Sequence, residues 1–217
     1  MNNIKIIRKN IKNIILKVKS DGSISLTAPR GISSEYIKDL LIKKSDWIKE
    51  KQLLFKNSKE ISLNKYYDGE LFSYLGNRYK LKTIKSDIEK VTINSEYLEI
   101  YIKDEDHSRK EILIKKWYRK RAELIFFNIL QELNRIVKKD VNRIKIRDMK
   151  TRWGSCNHNK SYINLNLELI KKPKECIEYV VLHELTHLIH PNHSKEFYNY
   201  LTLHMPDWKI RKELLKK

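Results

Sequence analysis

His183-Glu184-Leu185-Thr186-His187 sets two imidazoles four residues apart around a carboxylate. Its flanks, Val180-Val181-Leu182 on one side and Leu185, Leu188 and Ile189 on the other, are apolar almost all the way round. A stretch so flanked reads as a buried helix. On a helix, residues i and i+4 share a face one turn apart. Both rings therefore aim at one point, with Glu184 projecting beside it. A carboxylate buried without a partner costs several kcal/mol. Two histidines that merely filled the core would leave Glu184 unpartnered, whereas a cation between the rings supplies what it lacks. The pattern predicts a Zn2+ ion gripped at about 2.0–2.1 Å, with Glu184 as the general base for water.

A catalytic zinc takes three protein ligands and keeps one position open. His193 is the preferred third ligand, because Pro191 must end the helix and let the chain fold back. Glu196 and Glu213 are the carboxylate alternatives. His190 falls at the helix end, placed either to support the metal ligands or to sit exposed where an imidazole suits the helix dipole. Cys156 and His158 are a weak second metal pair, since no further cysteine stands near them.

The rest of the chain reads as α+β. Residues 14–19 and 23–28 alternate about Ser20-Asp21-Gly22, a hairpin signal. Ser33 or Ser34 then caps a helix bearing Ile37, Leu40, Leu41 and Trp47, running to about Phe55. Short strands are expected at 71–75, 79–84, 91–93 and 98–102. The polar stretch 103–109 is the expected boundary, giving a β-rich subdomain with one helix over 1–108 and a catalytic domain over 109–217. That second domain opens with a long amphipathic helix at 110–138, whose face is expected to carry Leu113, Trp117, Leu124, Ile125, Ile129, Leu133 and Ile136. Strands at 143–149 and 162–169 follow, then the motif helix from Pro173 to about Ile189 and a helix capped by Ser194.

A net charge of +19 draws polyanions and admits a nucleic-acid partner. The lysines are spread evenly, however, which fits compositional drift as well as it fits a binding face. No apolar run reaches the roughly 20 residues of a membrane span, no signal-peptide pattern opens the chain, and two cysteines make no disulfide framework. A cytoplasmic protein without membrane association is expected.

Met149-Lys150-Thr151-Arg152-Trp153-Gly154-Ser155-Cys156 forms a second cluster. Arg152 is suited either to steadying an oxyanion or to a structural ion pair, with Trp153 packed and Gly154 in a turn. Asn164 and Asn166, on the non-core face of their strand, are placed either to meet an extended substrate or simply to face solvent.

Taken together, residues 146–156, Ile163-Asn164-Leu165-Asn166, residues 179–187 and Pro191-Asn192-His193-Ser194 with Phe197 resemble the YgjP-like metallopeptidase family, relatives of the SprT-like and WLM zinc peptidases. Asp21-Gly22, Asp46-Trp47-Ile48, Tyr74-Leu75-Gly76 and Trp117-Tyr118-Arg119-Lys120 extend the likeness over nearly the whole chain. The departure is Tyr198, where the family usually has tryptophan. The resemblance implies a zincin-like domain with His183, His187 and His193 on the metal and Glu184 as base. It also implies that Arg152 lies close to the cleft. The expected substrate is a peptide or protein. Hydrolysis of a nucleotide phosphoanhydride is the alternative enzyme, and a basic DNA-associated module with a structural metal is the non-enzymatic one.

Overall fold

The structure, a computed structural model, describes residues 4–19, 21–61 and 66–216, with backbone alone over 54–61. The chain folds into two compact units, Met1–Asn64 and Lys65–Lys217. The polar stretch 103–109 therefore lies inside the second unit and does not divide the chain at 108/109. The physical reason is that strands 71–102 share one hydrophobic core with the helices that follow them.

In the first unit β1 (Ile4–Lys9), β2 (Ile15–Val18) and β3 (Ile24–Pro29) form a sheet in the order β1-β3-β2. The β2–β3 hairpin closes through Lys19 N–H to the Ser23 carbonyl at 2.8 Å, with Gly22 in the left-handed region at φ 82. Ser20, expected in that turn, lies outside the described residues. β1 had no clear signal in the alternation, and it pairs parallel to β3. The single helix expected after the sheet is two, α1 (Ser34–Lys43) and α2 (Ser45–Ile61). Ser33 caps α1 by accepting from Tyr36 N–H at 3.2 Å. Lys44 then leaves helical geometry, and Ser45-Asp46 starts a new helix with an acid in its first turn. Leu26, Ala28, Ile37, Leu41 and Ile48 make this unit's own core.

The second unit begins with β4 (Leu71–Tyr74), β5 (Asn77–Lys85), β6 (Lys90–Asn94) and β7 (Tyr97–Ile102), ordered β4-β5-β7-β6. The long helix α3 (His107–Val137) is capped by the Asp106 carboxylate, which accepts from Ser108 N–H at 2.8 Å. Its buried stripe is Ile114, Tyr118, Ala122, Phe126, Ile129 and Leu130. Leu124 and Ile136, expected on that face, are 54% and 40% exposed. The stripe turns this way because Tyr118 satisfies its hydroxyl on the Ser73 carbonyl at 2.7 Å and so counts as a core residue. Ala122 leaves room for the helix packed alongside.

A three-stranded sheet follows from β8 (Arg143–Arg147), β9 (Gly154–Asn157) and β10 (Tyr162–Asn166), ordered β8-β10-β9. Where strand was expected to continue to 169, the chain turns into a 3₁₀ segment at Leu167–Lys171, because the Asn166 side chain caps Glu168 N–H at 3.2 Å. α4 (Lys174–Thr186), α5 (Lys195–His204) and α6 (Trp208–Leu214) complete the unit. The β4–β5 turn docks on the entry to α4. Leu75 and Gly76 donate to the Ile170 and Lys171 carbonyls at 3.0 and 3.2 Å, and a β-carbon at Gly76 would lie 2.9 Å from Pro173 Cγ. No helix among the described residues is long and apolar enough to cross a membrane.

Candidate metal centre

α4 is buried on nearly every side, from Cys176 through Thr186, as its apolar flanks require. Inside such a helix a polar side chain must be satisfied locally, and Thr186 donates back to the Leu182 carbonyl at 2.7 Å. The helix stops one residue earlier than the motif does. His187 is its C-cap, still in right-handed helical geometry, so it keeps its place one turn beyond His183. The following loop returns His193 to the pair. The three ring centroids stand 4.7–5.0 Å apart, and one ligand nitrogen from each ring lies within 4.8 Å of the others. This is the one such group of metal-binding side chains among the described residues. Cys156 and His158 do not belong to it, nor do Glu196 and Glu213.

The ring nitrogens have separate tasks. His187 Nδ1 donates to the His190 carbonyl at 3.2 Å, which fixes its proton there and leaves Nε2 bare toward the cluster. His183 Nε2 and His193 Nε2 face each other at 3.0 Å. Three nitrogens around one tetrahedral ion at 2.0–2.1 Å stand about 3.3 Å apart, so this spacing fits a zinc-sized ion. His183 Nδ1 is walled in, with no hydrogen-bond partner among the described residues. Burial, and then the two neighbouring imidazoles, push the His183 pKa down to about 3. Burial likewise lowers that of His187. Neutral imidazoles are the form that ligates a metal.

Beneath the three rings lies Phe197, fully buried, its centroid 5.0 Å from His183, 4.7 Å from His187 and 4.8 Å from His193. Tyr198 stacks on His193 at 6.1 Å and on Trp208 at 5.3 Å. Nothing in the periodicity of α5 singles Phe197 out beyond an ordinary core position. Its contact with all three imidazoles depends on how the 188–194 loop closes.

Glu184 is 6% exposed, and burial raises its carboxyl to about 8 against the opposing charge of Arg152. It makes no hydrogen bond with another described residue. Its berth exists because position 154 carries no side chain: a β-carbon there would lie 2.5 Å from Oε1. Gly154 is the first residue of β9, not a turn residue. Its neighbour Cys156 has a thiol pushed up to about 12, by burial first and then by the Glu184 charge.

Arg152 is exposed on the 148–153 loop, and its charge reaches Glu184. That loop is held by Asn166, which is buried. The Asn166 amide donates to the Met149 and Arg152 carbonyls at 2.8 and 3.0 Å and accepts from Met149 N–H at 3.4 Å. Asn166 is thus an internal tether and does not face a substrate. Asn164 bonds Ser155 Oγ at 3.2 Å and accepts from Arg147 Nε at 3.4 Å. His190, expected either at the surface or in support of the ligands, is half-buried and supports His187 through its carbonyl.

Comparison with known proteins gives the chain a family. The family model described as YgjP-like, metallopeptidase domain, matches residues 12–217. Among solved structures, the metallopeptidase zymogen of Pyrococcus abyssi abylysin is 21% identical, with a TM-score of 0.37 over 41% of this chain and 87% of that one. The zymogen of Methanocaldococcus jannaschii jannalysin is 25% identical, with a TM-score of 0.37 over 42% and 85%. No curated protein matches the chain.

Proposed function

The chain belongs to the YgjP-like metallopeptidase family and is a metal-dependent hydrolase, and from that premise we propose a zinc peptidase in which His183, His187 and His193 hold the ion and Glu184 moves the proton. The observation that carries this reading is the convergence of three imidazole nitrogens within 4.8 Å beside a buried carboxyl. An all-imidazole set suits zinc, whereas Mg2+ prefers carboxylate and phosphate oxygens; this weighs against phosphoanhydride hydrolysis.

When bound, zinc supplies a Lewis acid that brings the pKa of water down to about 7. Glu184 accepts one proton from the attacking water as its oxygen bonds to the peptide carbonyl carbon. It returns that proton to the leaving nitrogen as the carbon–nitrogen bond breaks. Its burial keeps competing solvent protons away, and a cation alongside restores the charged form that a base requires. Arg152, tethered through its carbonyl by Asn166, places a positive charge at the cleft for the developing oxyanion. The two free cysteines accord with a cytoplasmic setting.

Metal analysis with a peptide hydrolysis screen tests the assignment. The wild-type chain should bind one zinc and cleave peptides. Glu184→Gln should keep the zinc and lose cleavage, and undiminished cleavage by that variant would end the proposed role.

A further inference from the structure

The sheet β8-β10-β9 has an outer strand, β8, whose far edge meets no other strand among the described residues. Register decides what that edge offers. Asn166 N–H donates to the Trp153 carbonyl at 2.8 Å, so the even-numbered residues of β10 address β9. Ile163 and Leu165 are left to address β8, and they bond it through Arg143, Lys145 and Arg147. The N–H and C=O groups of Ile144 and Ile146 therefore point away from the sheet. Arg119 Nη1 reaches the Ile146 carbonyl from outside at 3.3 Å, as this register requires.

Beside the edge runs a groove of about 560 Å³, with Phe126, Phe127, Arg119 and Glu123 of α3 along its other wall. Phe127 is 48% exposed there. The side chains of β8 alternate, with Ile144 and Ile146 on the core side and Arg143, Lys145 and Arg147 on the other. None of these three cations forms an ion pair among the described residues, and the two arginines hold the Lys145 pKa below its ordinary range. A strand laid along this edge would turn one set of side chains toward Phe127 and the isoleucines, and the other toward three uncompensated positive charges.

We propose that the outer edge of β8 is a docking site for an extended peptide in which apolar and acidic residues alternate. Outward backbone groups supply strand pairing, the α3 wall takes the apolar side chains, and Arg143, Lys145 and Arg147 pair the acids. A nucleic acid would use the cations alone and leave the backbone groups and the apolar wall without function. The site does not depend on the metal reading, and it lies on the opposite edge of the sheet from β9, whose Gly154 adjoins Glu184.

Fluorescence anisotropy with the full chain in chelator, where no turnover intrudes, tests the site. The probe is a short labelled peptide alternating valine and glutamate. It should bind at least about tenfold more tightly than its valine–lysine counterpart, and a central proline should abolish binding. Lys145→Glu with Arg147→Glu should reverse the preference, which also shows that the variant is folded. Ile144→Pro removes an outward N–H that the sheet does not use, and should weaken binding without altering the charge preference. The proposal is overturned if the glutamate peptide does not bind or the proline peptide binds equally. It is overturned too if the charge reversal leaves the preference unchanged, or if a DNA duplex binds while the peptide does not.

Discussion

Gly154 and Glu184 occupy one space: a β-carbon on the strand residue would lie 2.5 Å from Oε1, 2.7 Å from Cγ and 2.9 Å from Cδ of the helix residue. The atoms crowded are those of the carboxylate itself, on a buried helix that has no room to retreat. Gly154→Ala should therefore displace Glu184 while leaving the histidines alone. The expected result is a fall in kcat of about 100-fold with zinc content unchanged, read by steady-state kinetics and metal analysis. Loss of zinc from this variant would show that the crowding reaches further than the carboxylate.

The raised carboxyl of Glu184 has a signature in the metal-free protein. Between its ordinary 4.5 and about 8, the unfolded chain sheds this proton while the folded chain retains it. Stability is thus lost as pH rises through that window. Glu184→Gln has no such proton, so in chelator its Tm should match or trail that of wild type near pH 4.5 and gain on it steadily toward pH 8. His183, pushed down to about 3 from 6.5, acts in the opposite direction, giving stability that is lost as pH falls below 6.5. It is present in both proteins and drops out of the difference. A constant offset across the range would contradict the burial of this carboxyl.

Phe197 should govern metal affinity without touching the metal. Phe197→Leu removes the surface against which all three imidazoles rest, and zinc affinity should weaken about tenfold, with a changed visible spectrum for the cobalt-loaded form. Phe126 is equally buried in the same core and lies on α3. Phe126→Leu should lower Tm by a similar amount yet leave affinity and spectrum as they were. Identical behaviour of the two variants would reduce Phe197 to ordinary packing.

Asn166→Ala removes the tether of the 148–153 loop. Lost hydrogen bonds and the carbonyls left behind should cost about 2 kcal/mol in urea denaturation. Activity should fall further than stability alone explains, because Arg152 loses its fixed backbone. Full activity in a folded variant would detach Arg152 from the reaction.

The convergence of the three histidines was legible because its information is local. Spacing on a helix sets His183 and His187 together, and Pro191 forces the turn that brings His193 within reach. The β2–β3, β4–β5 and β6–β7 hairpins were legible for the same reason, each marked by a glycine or asparagine near its turn. What escaped depends on tertiary packing. β9 has only four residues and gains its strand character from β10, so Gly154 read as a turn. Alternation put Asn166 on the same face as Asn164, but the loop after β8 folds over it and makes it internal. Apolar letters alone rotated the buried face of α3, because a tyrosine with a satisfied hydroxyl and a small alanine can belong to a core as fully as leucine.

The enclosed Nδ1 of His183 carries a cost that the other two imidazoles avoid. To offer Nε2 as a lone pair, this ring must park its hydrogen where no acceptor waits, an expense of roughly 1–3 kcal/mol. With metal removed, the cluster should instead favour the other tautomer, with the hydrogen bridging to His193 across 3.0 Å. If His183 is a ligand, loading must shift that hydrogen to the far side of the ring, so the protein should hold its ion on a looser leash than a fully braced trio would.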